Sequence, residues 1–401
     1  MWAYLTQLPN NGPPGPAAGE RRNHLRRCLV AFCFQRLLKS IEAQLCEPDQ
    51  LPVRGIHRVL VCRPNHRLGN TILLSPLLTE IETLYPGAEI DMVNGGCAAE
   101  SLFANRFQVR AIYSLPRKIA RHLWSTARLL RQLRGNTYDL AIDASYGSQS
   151  GRLLLAIVRA RFKLGYPDEH GSRHAALRAM PCPEHQAHRS VFLLRAAYAG
   201  AVRQAFPSLN LRISDAEMTQ ARQTLAAILG ETERSHGTSA VVGPAVVGIF
   251  ANATDDKRYD TDWWMQFIHT LLARQPDLRI VDLVAEHGQS QLGGDFPCYY
   301  TRNLRHLAAV IANMDGFISA DCGVMHLAVA SGTPTLGLFK ATCSKKYGPC
   351  GQGHTAIDTR TMLAAEVATI ALDWLDLTVP DPPQRSSSDG PDNLLTPRRL
   401  A

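Results

Sequence analysis

The sequence predicts an α/β protein made of two consecutive halves, each with a parallel sheet. Three observations predict it. Short apolar runs alternate with helical periods from residue 58 onward, Gly, Pro, Ser and Asp punctuate them, and the alternation pauses near residue 207 before starting again. At 401 residues the chain is long enough for two or three compact units. Its 45% apolar and 19% charged residues exclude a mainly disordered protein.

In the first half, residues 58–62 read as a buried strand, 63–70 as a loop and 71–85 as a helix stopped by Pro86 and Gly87. Residues 88–94 are the next strand, 138–145 another, and 151–161 a helix. Residues 207–214 have no helical period, and Ser214 and Asp215 are good caps for a helix over 215–229. The boundary between halves is expected there. Strands then follow at 245–250, 279–285, 316–320 and 333–339, with helices at 261–274, 304–314 and 321–332. This divides the chain into an extension (1–54), a first α/β domain (55–206), a second (207–376) and a tail (377–401).

Both ends are rich in Pro, Gly and polar residues and are expected to be loose. Residues 21–40 carry six basic residues and no acid among leucines and phenylalanines, a basic amphipathic helix suited to an anionic membrane face or to the neighbouring domain. The apolar run 28–34 is too short to span a bilayer and lacks a cleavage site, and no membrane-spanning helix is expected, so the sequence reads as cytoplasmic. Ten cysteines without a CxxC pair indicate neither a zinc motif nor a disulfide scaffold.

The net charge of +8 favours anionic partners. Eight basic residues and no acid lie between 101 and 138, among them Arg106, Arg110, Arg117, Lys118 and Arg121. Arg128, Arg131 and Arg134 complete the set, interleaved with Leu123, Trp124, Leu129, Leu130 and Leu133, so that one helical face is cationic and another apolar. Arg forks suit the phosphates of a glycolipid. Nucleic acid is disfavoured, since there is no zinc finger, RNP-type strand or basic zipper.

The richest segment is 317–339, where a strand runs into a helix at Asp321. Asp321 is placed to cap that helix, Gly323 clears space for a ligand near the backbone, and the first-turn amides and His326 suit a phosphate. The string Asp321, Gly323, His326, Gly332, Pro334, Thr335 resembles the donor-binding signature of glycosyltransferase family 9, the ADP-heptose lipopolysaccharide heptosyltransferases. Residues 58–93 resemble the family's opening strand, Leu-Gly-Asp loop and helix, and 249–264 its phosphate loop. Together the similarity covers about residues 56–375.

The resemblance implies a GT-B fold, two Rossmann-like domains facing across a cleft, and an inverting, metal-independent transfer of heptose or a similar sugar from an ADP-linked co-substrate to a lipopolysaccharide core at the inner membrane surface. No further cofactor is implied. By position, Asn252, Lys257, Glu286, Asp321, Cys322, Gly323 and His326 would hold the donor, with Glu286 on the ribose; Arg67, Arg117, Lys118 and Arg121 would meet the acceptor. The sequence departs from the family at Asn70, which stands in place of the Asp of Leu-Gly-Asp and cannot take a proton at neutral pH. Three explanations follow: His66 is the base while Asn70 positions the acceptor, Asp143 serves instead, or the protein is a weak or inactive paralogue that binds nucleotide sugar. A GT-B nucleotide-sugar epimerase is a further rival.

Overall fold

A computed structural model describes residues 40–117, 121–167, 174–231, 244–286 and 288–378. Lys118, residues 21–39 of the basic stretch and residues 379–401 of the tail lie outside them. The first sheet contains β1 (Arg58–Arg63), β2 (Glu89–Gly95), β3 (Val109–Leu115), β4 (Thr137–Asp143) and β5 (Arg159–Leu164) in the order β3-β2-β1-β4-β5. The second contains β6 (Val246–Phe250), β7 (Arg279–Leu283), β8 (Cys298–Tyr299), β9 (Gly316–Ala320), β10 (Thr335–Phe339) and β11 (Thr355–Asp358) in the order β11-β10-β9-β6-β7-β8. Every pairing is parallel. In such sheets the switch in strand order falls beside the first strand, and ligands collect at the carboxyl ends.

The continuous apolar strands are buried on both faces, as parallel strands covered by helices must be. Two predicted helices need correcting. The one placed at 71–85 is split into Leu68–Ile72 and Ser75–Leu84, with Pro76 opening the second piece, where a missing N–H costs nothing. The one placed at 151–161 stops at Ile157, and the β-branched and aromatic Val158–Phe162 stretch turns into β5. The helix expected from Ser214 forms over Asp215–Ile228, closed by a capping box in which Ser214 and Glu217 bond reciprocally.

The halves are not joined by a bare tether. One apolar cluster runs from Leu73, Leu74 and Leu102 of the first half into Leu307, Val310 and Leu327 of the second. Beside it Arg305, buried, donates a fork of two 2.6 Å bonds to Glu217 and three bonds of 3.1 Å to the carbonyls of Leu102, Leu211 and Arg212. This pairing holds the Glu217 carboxyl down to about 2. Its stabilising effect is therefore complete above about pH 4.5 and is lost as the pH falls toward 2. Arg305→Ala leaves Glu217 and three carbonyls without their donor and should cost about 3 kcal/mol, read by urea unfolding at pH 7; a change within about 0.5 kcal/mol would show that the fork does not hold the seam.

Candidate active site

The carboxyl ends of the two sheets supply the site. On the first side β1 ends in Arg63, a buried guanidinium that donates to the Ala144 carbonyl and, at 3.2 Å, to Asn70 Oδ1. Its Nε is buried with no partner among the described residues. Asp143 closes β4, 1% exposed, with its Oδ1 accepting the Ser145 amide at 3.0 Å. Gly151 is required against it, because a Cβ there would lie 2.1 Å from Oδ1. Burial outweighs the Ser145 amide and the charges of Arg63 and Arg152, and pushes this carboxyl up to about 7.

His66 lies in the loop after β1, exposed, its ring against the backbone at the end of β2, where a Cβ on Gly95 would come within 2.9 Å of Cδ2. Partial burial first, and then the Arg117 charge, lower its pKa, so the imidazole is neutral at pH 7. Arg67 and Arg121 are exposed, while Lys118 is not among the described residues.

On the second side, Asn252 follows β6 and Asp321 follows the adjacent β9, whose register pairs Phe250 with Ser319. Lys257, in the turn Asp255–Lys257, reaches Asp321 Oδ2 at 2.7 Å, and the Thr342 hydroxyl donates to the same oxygen. These contacts correct the expectation that Asp321 caps the following helix. The helix is Gly323–Ser331, its N-cap is Cys322, and Asp321 turns to the ammonium and hydroxyl instead. Charge attraction wins over a neutral amide. The helix ends where predicted, at Gly332 with φ 90°, a conformation suited to glycine. Burial is the main cause of the raised Cys322 thiol pKa.

The sequence reading also set Asp321 and His326 beside an open crevice. In the structure they are 5% and 4% exposed. What covers them is the other half: helix Leu68–Ile72 lies directly on helix Gly323–Ser331. A Cβ on Gly69 would sit 2.7 Å from His326 Cδ2, and one on Gly323 would sit 2.9 Å from Leu68 Cβ and 3.0 Å from the Gly69 nitrogen. Burial then dominates His326 and lowers its pKa to about 4, with the nearby Asp321 opposing and His185 and Lys257 adding to the shift. Its Nδ1 and the Asn252 Nδ2 are buried without partners among the described residues. Such atoms are costly to leave unpaired, and a polar ligand would satisfy them.

Glu286 stands apart, 79% exposed after β7, and its contact is Arg302 at 3.7 Å. Two residues of the basic run are structural rather than available to an acceptor: Arg106 is buried on Glu82, and Arg110 is bonded to Asp91 and paired with Glu89. Arg128, Arg131 and Arg134 are exposed along helix Leu123–Gly135, with Leu133 buried and Leu123 and Trp124 exposed at its start. Sequence reasoning missed Arg63 and Thr342. The sequence places Arg63 at the start of the loop after the first strand, whereas it closes β1, and its signal is a charge following an apolar run; Thr342 has no local signal.

Gly69→Ala should separate the two helices and cost about 1–3 kcal/mol by overpacking, measured by thermal or urea unfolding; a fully stable variant would mean that the contact yields. His188, His326 and His354 are each held near 4 by burial, against an ordinary value of 6.5. The unfolded chain therefore binds more protons between these values, and stability is complete above pH 6.5 and falls as the pH drops toward 4. The melting temperature should follow that course, and His326→Leu should remove part of the slope; an unaltered slope would count against a buried neutral ring.

A family model described as glycosyltransferase family 9 (heptosyltransferase) matches residues 126–369, more than half of the chain. Among solved structures, a family 9 glycosyl transferase from Veillonella parvula superposes with a TM-score of 0.62 at 16% identity, over 82% of this chain and 99% of that one. The E. coli ADP-heptose lps heptosyltransferase II gives 0.56 at 15%, over 79% and 98%, and E. coli heptosyltransferase WaaC with ADP gives 0.53 at 18%, over 79% and 99%. These likenesses are of fold, two parallel α/β halves in the GT-B arrangement. A search of curated proteins finds no match. With the family match spanning both halves, the chain belongs to glycosyltransferase family 9 and is a heptosyltransferase-family enzyme.

Proposed function

We propose that this glycosyltransferase moves a heptose, or a similar sugar, from an ADP-linked donor to a phosphorylated lipopolysaccharide core acceptor, with inversion and with no metal needed in the transfer step. The observation that carries this is the meeting of Lys257, Asp321 and the start of helix Gly323–Ser331 with the Leu68–Gly69 turn of the opposite half. The donor reading is also supported by the E. coli relatives, one described with ADP and one with ADP-2-deoxy-2-fluoro heptose. No helix among the described residues is long and apolar enough to cross a membrane. The proposed place of action is the cytoplasmic face, where exposed Trp124 and the arginines of helix Leu123–Gly135 meet anionic headgroups.

Transfer requires charge relief on the leaving diphosphate and a base for the acceptor hydroxyl. Lys257 is held by Asp321 before the donor arrives, and a diphosphate competes for the ammonium while Thr342 keeps its bond to Asp321. The start of helix Gly323–Ser331 and the His326 ring complete the donor side, and Asn252 offers its unpartnered amide. Leu68 and Gly69 now fill the space beside Gly323, so a sugar reaches the Cys322–Gly323 backbone only if the two helices part. Glu286 takes the ribose only if the loop after β7 folds inward, since it now points to solvent.

For the base, His66 fits better than Asp143. The His66 ring is neutral and accessible; the Asp143 carboxyl is closed in by Gly151 and bonded to Ser145. Asn70, fixed by Arg63, orients the acceptor hydroxyl, with Arg67, Arg117, Lys118 and Arg121 on its phosphates. Asn70 also favours a second reading, a paralogue that binds nucleotide sugar without transfer.

Mass spectrometry of extracted core glycolipid incubated with ADP-heptose distinguishes these readings: heptose added to the acceptor supports the transferase, and donor binding without product supports the paralogue. His66→Ala should lower kcat by about 10²–10⁴-fold with little change in donor affinity, as removal of a general base does. Loss of turnover and donor affinity in equal measure would dismiss His66 as base. Lys257→Ala and His326→Ala should instead weaken donor binding as well as turnover in a folded protein.

A further inference from the structure

Away from the cleft floor, two imidazoles and a thiol from opposite halves converge. His185 is the N-cap of helix Gln186–Ala197 and His188 lies one turn on; Cys350 follows the short helix Ser344–Tyr347 of the second half. One donor atom from each of the three lies within 4.8 Å of the others. We propose that His185, His188 and Cys350 form a binding site for a single zinc-class divalent ion, which clips the two halves of the chain together.

The two imidazoles are in the state such an ion requires, and the thiol must lose its proton. His185 Nε2 faces the Gly348 carbonyl at 2.9 Å and must carry the proton there, which leaves the Nδ1 lone pair for a metal. A ring nitrogen on the ion and the other on a backbone carbonyl is the usual way a ligating histidine is oriented. The competing contact, the Ala187 amide on Nδ1, is long at 3.3 Å. His188 is stacked on Phe206 with its plane fixed, and neither its ring nitrogens nor the Cys350 sulfur make a hydrogen bond among the described residues. Burial lowers both imidazoles, His188 to about 4, so both are neutral at pH 7; it raises the Cys350 thiol to about 11. Binding is then balanced by release of one proton, from Cys350, as its thiolate bonds the ion.

Two nitrogens and one sulfur suit zinc rather than magnesium or calcium, which take oxygen. Zinc bonds of about 2.0–2.3 Å are compatible with donor atoms set this close together. Three protein ligands leave the fourth position to water. Its role is to couple helix Gln186–Ala197 to the segment after β10, beside which His185 already bonds to Gly348, and the His185 charge is also felt at His326.

The test is metal binding, independent of turnover. Full-length protein, stripped with chelator and titrated with Co²⁺, should take up one equivalent per chain with a near-ultraviolet thiolate-to-cobalt band, and Zn²⁺ should bleach that band and raise the melting temperature. Cys350→Ser, whose native thiol makes no hydrogen bond, should fold normally by circular dichroism, lose the band and lose the zinc-dependent shift. His188→Asn should weaken Co²⁺ binding at least tenfold. Absence of stoichiometric binding by the folded wild type, or a band that persists in Cys350→Ser, would overturn the site. Loss of sugar transfer in any variant bears on the enzyme assignment and not on this one.

Discussion

The structure depends on two glycines meeting across the seam. Gly69 and Gly323 bring two helix starts so close that a single methyl on either would strike the opposite backbone or the His326 ring. That contact is possible only without a Cβ, and it is what places residues of one half over the turn that follows β9 in the other. It also explains why Asp321 and His326 are sheltered although they lie at strand ends, normally the open rim of such sheets. Their cover belongs to the facing domain, not to their own core.

Electrostatics follows from that closeness. On one side of the seam a carboxylate is shared by an ammonium and a hydroxyl; on the other a guanidinium is committed to a backbone carbonyl and an amide. Burial makes each of these groups expensive unless paired. Beside them, side-chain atoms of Arg63, Asn252 and His326 lie buried without a partner among the described residues. The site is thus pre-arranged for a charged, hydrogen-bonding ligand, in keeping with the family to which the chain belongs.

Much of this was legible beforehand where the cause is local. Apolar runs bounded by Gly and Pro located β1, β6, β9 and β10, and Ser214 with Asp215 announced a helix start. β3 was missed because Val109–Leu115 contains an arginine, a serine and two partly buried aromatic and aliphatic positions, and earns its place by pairing with β2 rather than by its own pattern. β11 was missed for the same reason. At the candidate site, the string from Asp321 to Thr335 marked the strand-to-helix turn, but the direction of the Asp321 side chain depends on Lys257 and Thr342, 64 residues before and 21 after it. Arg63, His185 and Cys350 matter through neighbours far along the chain, which no local pattern can encode.

Arg305 gives the connector between domains an unexpected character. A single side chain grips the Leu102 carbonyl of helix Ala98–Phe103, the Leu211 and Arg212 carbonyls of the connecting segment and, through Glu217, the first turn of the next helix. The crossing peptide therefore has no slack to lend. Whatever room a sugar nucleotide needs to enter must come from sliding of packed helix faces over one another, a shear rather than the swing of a loose hinge.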